Sequence, residues 1–168
     1  MNTTQTVWLR PAARHAFWAA AALGTLHAAW SIYWAFGGQF LLATVGQWAV
    51  EATTEPPGLA LVGLLLISAL KLAGAWLPLL AETRRVPGRR GWRVLAWIGG
   101  PFLILYGGAD FVAGAAVLMG LIQVEETDSS ALVGHAFIWG PHFALWGAAL
   151  TTALFLSRES RAAPPPLD

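Results

Sequence analysis

Four stretches of the chain, at about residues 15–36, 59–80, 92–121 and 131–157, each run for more than 20 residues with almost no charge. A helix rises ~1.5 Å per residue and a bilayer core is ~30 Å thick, so about 20 such residues cross it. Inside lipid every backbone group must be satisfied within the protein, and a helix does this segment by segment. The expected fold is therefore all-α: an integral membrane four-helix bundle in a single domain over residues 1–158. Residues 159–168 contain three prolines and are expected to be a disordered tail. Composition agrees. Charged residues make up 11% of the chain, against about 25% in soluble domains, and mean hydropathy is +0.57. The absence of cysteine excludes thiol chemistry, disulfides, iron–sulfur clusters and Cys-based zinc sites.

The apolar run from Ala16 to Phe36 follows Arg10 and Arg14, as a signal peptide's would. It is longer than a signal h-region and contains a histidine and bulky aromatics, so it reads as a retained span. Gly37-Gly38 ends it. Phe40 to Val50 is too short to span and reads as an interfacial or re-entrant helix over the outer mouth of the bundle. Glu51 to Gly58, with two prolines, reads as a loop. Gly99-Gly100-Pro101 predicts a kink in the third span, and Gly140-Pro141 an interruption in the fourth. Small residues in the second span (Gly63, Ser68, Gly74) and the third (Gly99, Gly100, Gly107, Gly108, Gly114) predict close helix packing.

The arginines fix an orientation. Arg10 and Arg14 precede the first span, Arg84, Arg85, Arg89, Arg90 and Arg93 lie between the second and third, and Arg158 and Arg161 follow the fourth. With four spans all nine lie on one side, opposite Glu51, Glu55, Glu125, Glu126 and Asp128. The positive-inside rule then puts both termini in the cytoplasm. The basic segment from Glu82 to Gly91 suffices as a topology determinant and could also attract anionic lipid headgroups.

Polar residues within the spans are costly, at least ~2.5–3.5 kcal/mol for an unpaired charge, and usually face the interior. His27, Trp30 and Trp34 share one face of a first helix, and His135, Trp139, His142 and Trp146 form a second stripe. Measured from the flanking arginines, His27 and Lys71 lie at ~20 Å, His142 at ~24 Å and Asp110 at ~26 Å, a layer near the midplane. Lys71, the sole lysine, is expected to pair with Asp110, which would also fix helix register. His27, Asp110 and His142 are the candidates for moving protons. Trp30, Trp34, Lys71, Tyr106, Trp139 and Trp146 are the candidates for binding, with the aromatics walling a cavity. His15 and His135 are expected to be solvated near the interfaces. Trp8, Trp18, Trp48, Trp76, Trp92 and Trp97 fit an interfacial belt.

The runs LHAAWSIYWAFGG and WGPHFALWG carry a likeness. They resemble the Leu-His…Trp…Gly-Gly first span and the Trp-x-Pro-aromatic last span of a bacterial family of four-span membrane proteins of unknown function. That family often has an acid between Trp and Pro, where this chain has Gly140. The resemblance implies a four-span bundle in the bacterial cytoplasmic membrane and brings no activity. A looser likeness to four-span sterol isomerases and their ligand-binding relatives rests on span count and intramembrane His, Trp and acid, and is an analogy of fold.

These features point to a protein that binds or transforms a lipid-like molecule, such as an isoprenoid, sterol-like or quinone compound. The alternatives are a non-catalytic accessory subunit of a membrane complex and a bis-His haem protein with His27 and His142 as ligands. No cofactor and no metal are expected. Membrane lipid and a hydrophobic small molecule are the expected partners, and a homo-oligomer or larger membrane complex is compatible with the chain. Nothing resembles a Walker loop, GxSxG, HExxH or a nucleic-acid-binding motif.

Overall fold

Proline and glycine set most of the helix boundaries. The computed structural model describes residues 9–54, 57–124 and 128–159, and among them there is no strand. Trp8, Glu55, Glu125, Glu126, Arg161 and the expected tail beyond Glu159 lie outside the described residues. Helix α1 (Pro11–Ala35) opens on a proline, which fits a helix's first turn. It closes at Gly37, whose φ of 88° lets the Gly38 amide reach back to the Tyr33 carbonyl at 2.9 Å and the Gly37 amide to Trp34 at 3.0 Å.

Phe40 to Val50 is not one helix. It holds a 3₁₀ turn (Leu42–Thr44), and only its end enters α2 (Gln47–Thr54). Nor is Glu51 to Gly58 a loop, because α2 continues through Thr54 and α3 (Pro57–Glu82) starts on a proline three residues later. The prolines mark a helix start rather than a helix-free stretch. Helix α4 (Arg89–Leu118) runs unbroken through Gly99-Gly100-Pro101. The chain then enters α5 (Ser129–Gly134), a π-helical segment (His135–Trp139) and α6 (Gly140–Glu159). The interruption predicted at Gly140-Pro141 is this π segment. Pro141 has no amide hydrogen to give, and the Gly140 amide bonds back five residues to His135.

Helix α1 packs along α3 and α6, and α4 lies on α6, with less contact between α3 and α4. One apolar cluster, with Phe17, Leu79, Ala96 and Leu154, lies where α1 and α4 begin and α3 and α6 end. A second, with Trp34, Leu42, Ala49 and Trp139, closes the opposite end. Between α4 and α6 the seam is built from Gly100, Gly107 and Gly114, spaced by seven. A β-carbon on Gly107 would stand 2.2 Å from the Gly140 carbonyl oxygen, and one on Gly114 would stand 2.7 Å from Ala136 Cβ. Gly99 and Gly108, by contrast, face open space.

At the arginine-rich end, Glu82 is buried and ion-paired to both Arg89 and Arg93. Arg93 also donates to Ser157 Oγ at 2.8 Å and to the Leu154 carbonyl at 3.2 Å. This cluster ties α3, α4 and α6 together. Removing one partner of such a buried pair costs ~3–5 kcal/mol, because the other charge is left uncompensated. Outside the bundle, Leu59, Val62, Leu66 and Leu70 of α3 and Leu95, Ile98, Phe102 and Leu105 of α4 are exposed. Residues 58–82 and Arg89–Leu118 are long and apolar enough to cross a membrane, and only 11% of each apolar window is buried inside the protein.

Candidate functional site

The expected midplane layer divides into two groups. Around α1, His27 is 5% exposed. Its ring centroid lies 4.2 Å from Phe143, 5.0 Å from His142, 5.7 Å from Trp139 and 6.5 Å from Trp146. His142 Nε2 is 2.9 Å from the Leu23 carbonyl, so this nitrogen carries the hydrogen and donates it. Neither ring nitrogen of His27 has a hydrogen-bond partner among the described residues. An unpaired buried polar group costs ~1–3 kcal/mol, a cost that a leucine at this position would not carry.

Ser31 lies one turn further along α1 and accepts a hydrogen bond from Lys71 Nζ at 2.8 Å. No carboxylate of the described residues lies within ion-pair distance of Lys71. The expected Lys71–Asp110 pair is therefore not formed. Depth along the helices placed the two groups at a similar height but left their direction open. Helix α3 turns Lys71 toward α1, and α4 turns Asp110 toward the π segment.

There Asp110 Oδ2 lies 3.2 Å from His135 Nδ1, and His135 Nε2 lies 3.2 Å from the Val45 carbonyl. The two nitrogens thus face two oxygens. A proton on each nitrogen, or a protonated carboxyl, satisfies both contacts. His135, expected to be solvated, is instead a half-buried link between α4, the π segment and the segment before α2. Its i, i+4 spacing to Trp139 was the available signal. What the sequence lacked was the position of the Leu41–Gly46 segment.

Two buried tryptophans hold the same segment down. Trp34 Nε1 donates to the Phe40 carbonyl at 3.0 Å, and Trp139 Nε1 donates to the carbonyl and hydroxyl of Thr44, both at 3.1 Å. Trp30 packs on Trp34 at 6.1 Å and on Trp139 at 6.2 Å. Of the tryptophans expected at an interfacial belt, Trp18 and Trp48 are exposed. Trp76 instead turns its N–H to Thr25 Oγ1 at 2.9 Å.

Beneath α2 lies a cavity of about 330 Å³. Its walls are apolar, from Trp34 on α1, Leu42 and Ala49 below the mouth, and Gly63, Leu64 and Ile67 on α3. Lys71 and Ser31 line it at the α1–α3 side, and the exposed Trp48, Leu59 and Ile67 leave it open along its length. Of the predicted binding residues, only Trp34 and Lys71 line it. Trp146 faces a different groove, between α3 and α4. Tyr106 stacks on Phe102 and edges Phe143, on the outer side of the aromatic group. None of His27, Asp110 and His142 reaches the cavity, although His27 is one turn from Ser31.

Among the described residues no group of three or more His, Asp or Glu could hold a metal ion. The haem alternative meets a steric objection. The His27 and His142 rings sit 5.0 Å apart with Phe143 against His27, and a macrocycle has no slot between them.

Fold and site together define an all-α protein with two helices long and apolar enough to cross a membrane, and with an apolar cavity lined at one point by a half-buried lysine. The chain belongs to the DUF3995 family, described as protein of unknown function, which it matches over residues 23–150. No curated protein and no solved structure matches the chain.

Proposed function

We propose that this is a four-span protein of the bacterial cytoplasmic membrane, with both termini cytoplasmic, that binds a lipid-like small molecule in the cavity beneath α2. The observation that carries the reading is the apolar cavity lined by Lys71, a cation whose hydrogen-bond partner among the described residues is the Ser31 hydroxyl. Its volume of about 330 Å³ lies at the lower end of small-ligand sites, which span ~300–1,000 Å³. The outward apolar faces of α3 and α4 would meet acyl chains, and the mouth at Trp48 and Leu59 would admit a molecule from the bilayer.

Binding is favoured over transformation, because the three groups suited to proton transfer stand away from the cavity. His27 and His142 then act in the packing around α1, and Asp110 in anchoring the roof. Within the hydrophobic class, an isoprenoid-type chain suits the cavity better than a fused-ring sterol or a quinone head.

The test is to purify the protein in mild detergent and identify co-extracted hydrophobic molecules by mass spectrometry, beside Gly63→Trp. Gly63 lines the cavity and has no neighbour within 4 Å of an added β-carbon, so a side chain can start there without meeting backbone, and an indole is expected to take up cavity space. A stoichiometric chain-type molecule in the wild type, lost in the variant, supports the reading. Equal content in both defeats it.

A further inference from the structure

Lys71 sits on the same stripe of α3 as the cavity wall. Leu59, Ala60, Gly63, Leu64, Ile67 and Lys71 follow one another along it, so the wall extends ~18 Å from mouth to ammonium. The far end offers a cation with three N–H donors, and one of them is given to Ser31. In a low-dielectric wall the remaining two are best met by an anion, since charge-assisted hydrogen bonds are the strong ones. No carboxylate of the chain supplies that anion among the described residues. Asp110 is engaged with His135, and Glu82 with two arginines.

We infer that the occupant is a single-chain amphiphile with an anionic head, bound head-first, its carboxylate or phosphate on Lys71 Nζ and Ser31 Oγ and its chain running out between α2 and α3. This rests on the binding reading above and adds the charge and the direction of entry.

The experiment compares myristate, methyl myristate and myristyl phosphate on the detergent-purified full chain at neutral pH, following quenching of tryptophan fluorescence by brominated analogues. Trp34 and Trp48 both line the cavity. The expected result is that myristate or the phosphate binds at least about tenfold more tightly than the ester, the scale of one charged hydrogen bond. Lys71→Met should abolish that preference while the ester still binds, and Lys71→Arg should retain it. The ratio of myristate to myristyl phosphate then distinguishes a fatty-acid site from a phospho-lipid one.

Equal affinity for acid and ester in the wild type overturns the anionic assignment and leaves the binding reading standing. Absence of binding by all three overturns both. The wild-type comparison decides even where Lys71→Met fails to accumulate as folded protein.

Discussion

Asp128 connects two helix starts that are far apart in sequence. Its carboxylate accepts from the Ser130 and Ala131 amides at 3.0 and 3.1 Å, capping α5, and from the Gln47 amide at 2.9 Å, capping α2. The bond from Ala131, followed by those from Gln47 and Ser130, holds this carboxyl below the usual carboxylate range. A group depressed on folding contributes stability that is full above its unfolded value, near pH ~3.9, and is lost as pH falls through the folded value. The wild type should therefore melt above Asp128→Asn near neutral pH, and the gap should narrow as pH drops toward 3. Thermal unfolding in detergent across that window measures it, and a gap that does not change with pH would contradict the assignment. Sequence alone counted Asp128 among the acids on the side opposite the arginines. The partner that makes it a clamp, the Gln47 amide, has no side-chain signature and could not be seen.

At the scale of elements, the seam between α4 and α6 is a close backbone approach. Gly107→Val should push the helices apart, because the new β-carbon would collide with the Gly140 carbonyl and the Ala144 amide, both backbone groups that cannot rotate away. Overpacking of this kind typically costs ~1–3 kcal/mol or more. Gly108→Val, one residue on and facing open space, serves as the control. Melting temperatures of the two variants give the comparison, and equal values would remove the seam from its place in the fold.

The glycine stripe was legible in the sequence as a packing signal, but which of five glycines faced the partner was not. Hydropathy also gave the long helices to within a few residues, since their ends are set by local chemistry: Pro11, Gly37, and Gly120 with φ of 72°. It misjudged the segment between α1 and α3, because a 3₁₀ turn held by Trp34 and Trp139 is specified by tertiary hydrogen bonds. Of the six residues expected to bind, only Trp34 and Lys71 line the cavity, for a related reason. Periodicity gives a side chain's height on its own helix, whereas Lys71 and Asp110 separate according to which neighbour each helix faces.

For the whole molecule, the described arginines gather where α1 and α4 begin and α3 and α6 end, with Glu82 neutralising part of that charge. The four-span reading predicts that a cysteine at Ser129 labels with a membrane-impermeant reagent in whole cells and that one at Gly88 does not. Both positions are exposed, so accessibility within the protein does not bias the comparison. The reverse pattern would invert the topology, and labelling of both would contradict a single orientation with four spans.

The glycine seam also decides where the molecule can give way. Helices α4 and α6 approach backbone to backbone at their glycines, with Tyr106 on Phe143 and Trp97 on Phe155 packed beside the seam. Between α3 and α4 there is instead an apolar groove of about 400 Å³ floored by Trp146. Helix α3 thus has slack on one flank and the cavity on the other. Under the binding reading, α3 is the helix expected to lean into that groove on loading, against the α4–α6 pair. Spin labels on α3 and α4 should then report a distance that changes on loading, whereas a pair on α4 and α6 should not.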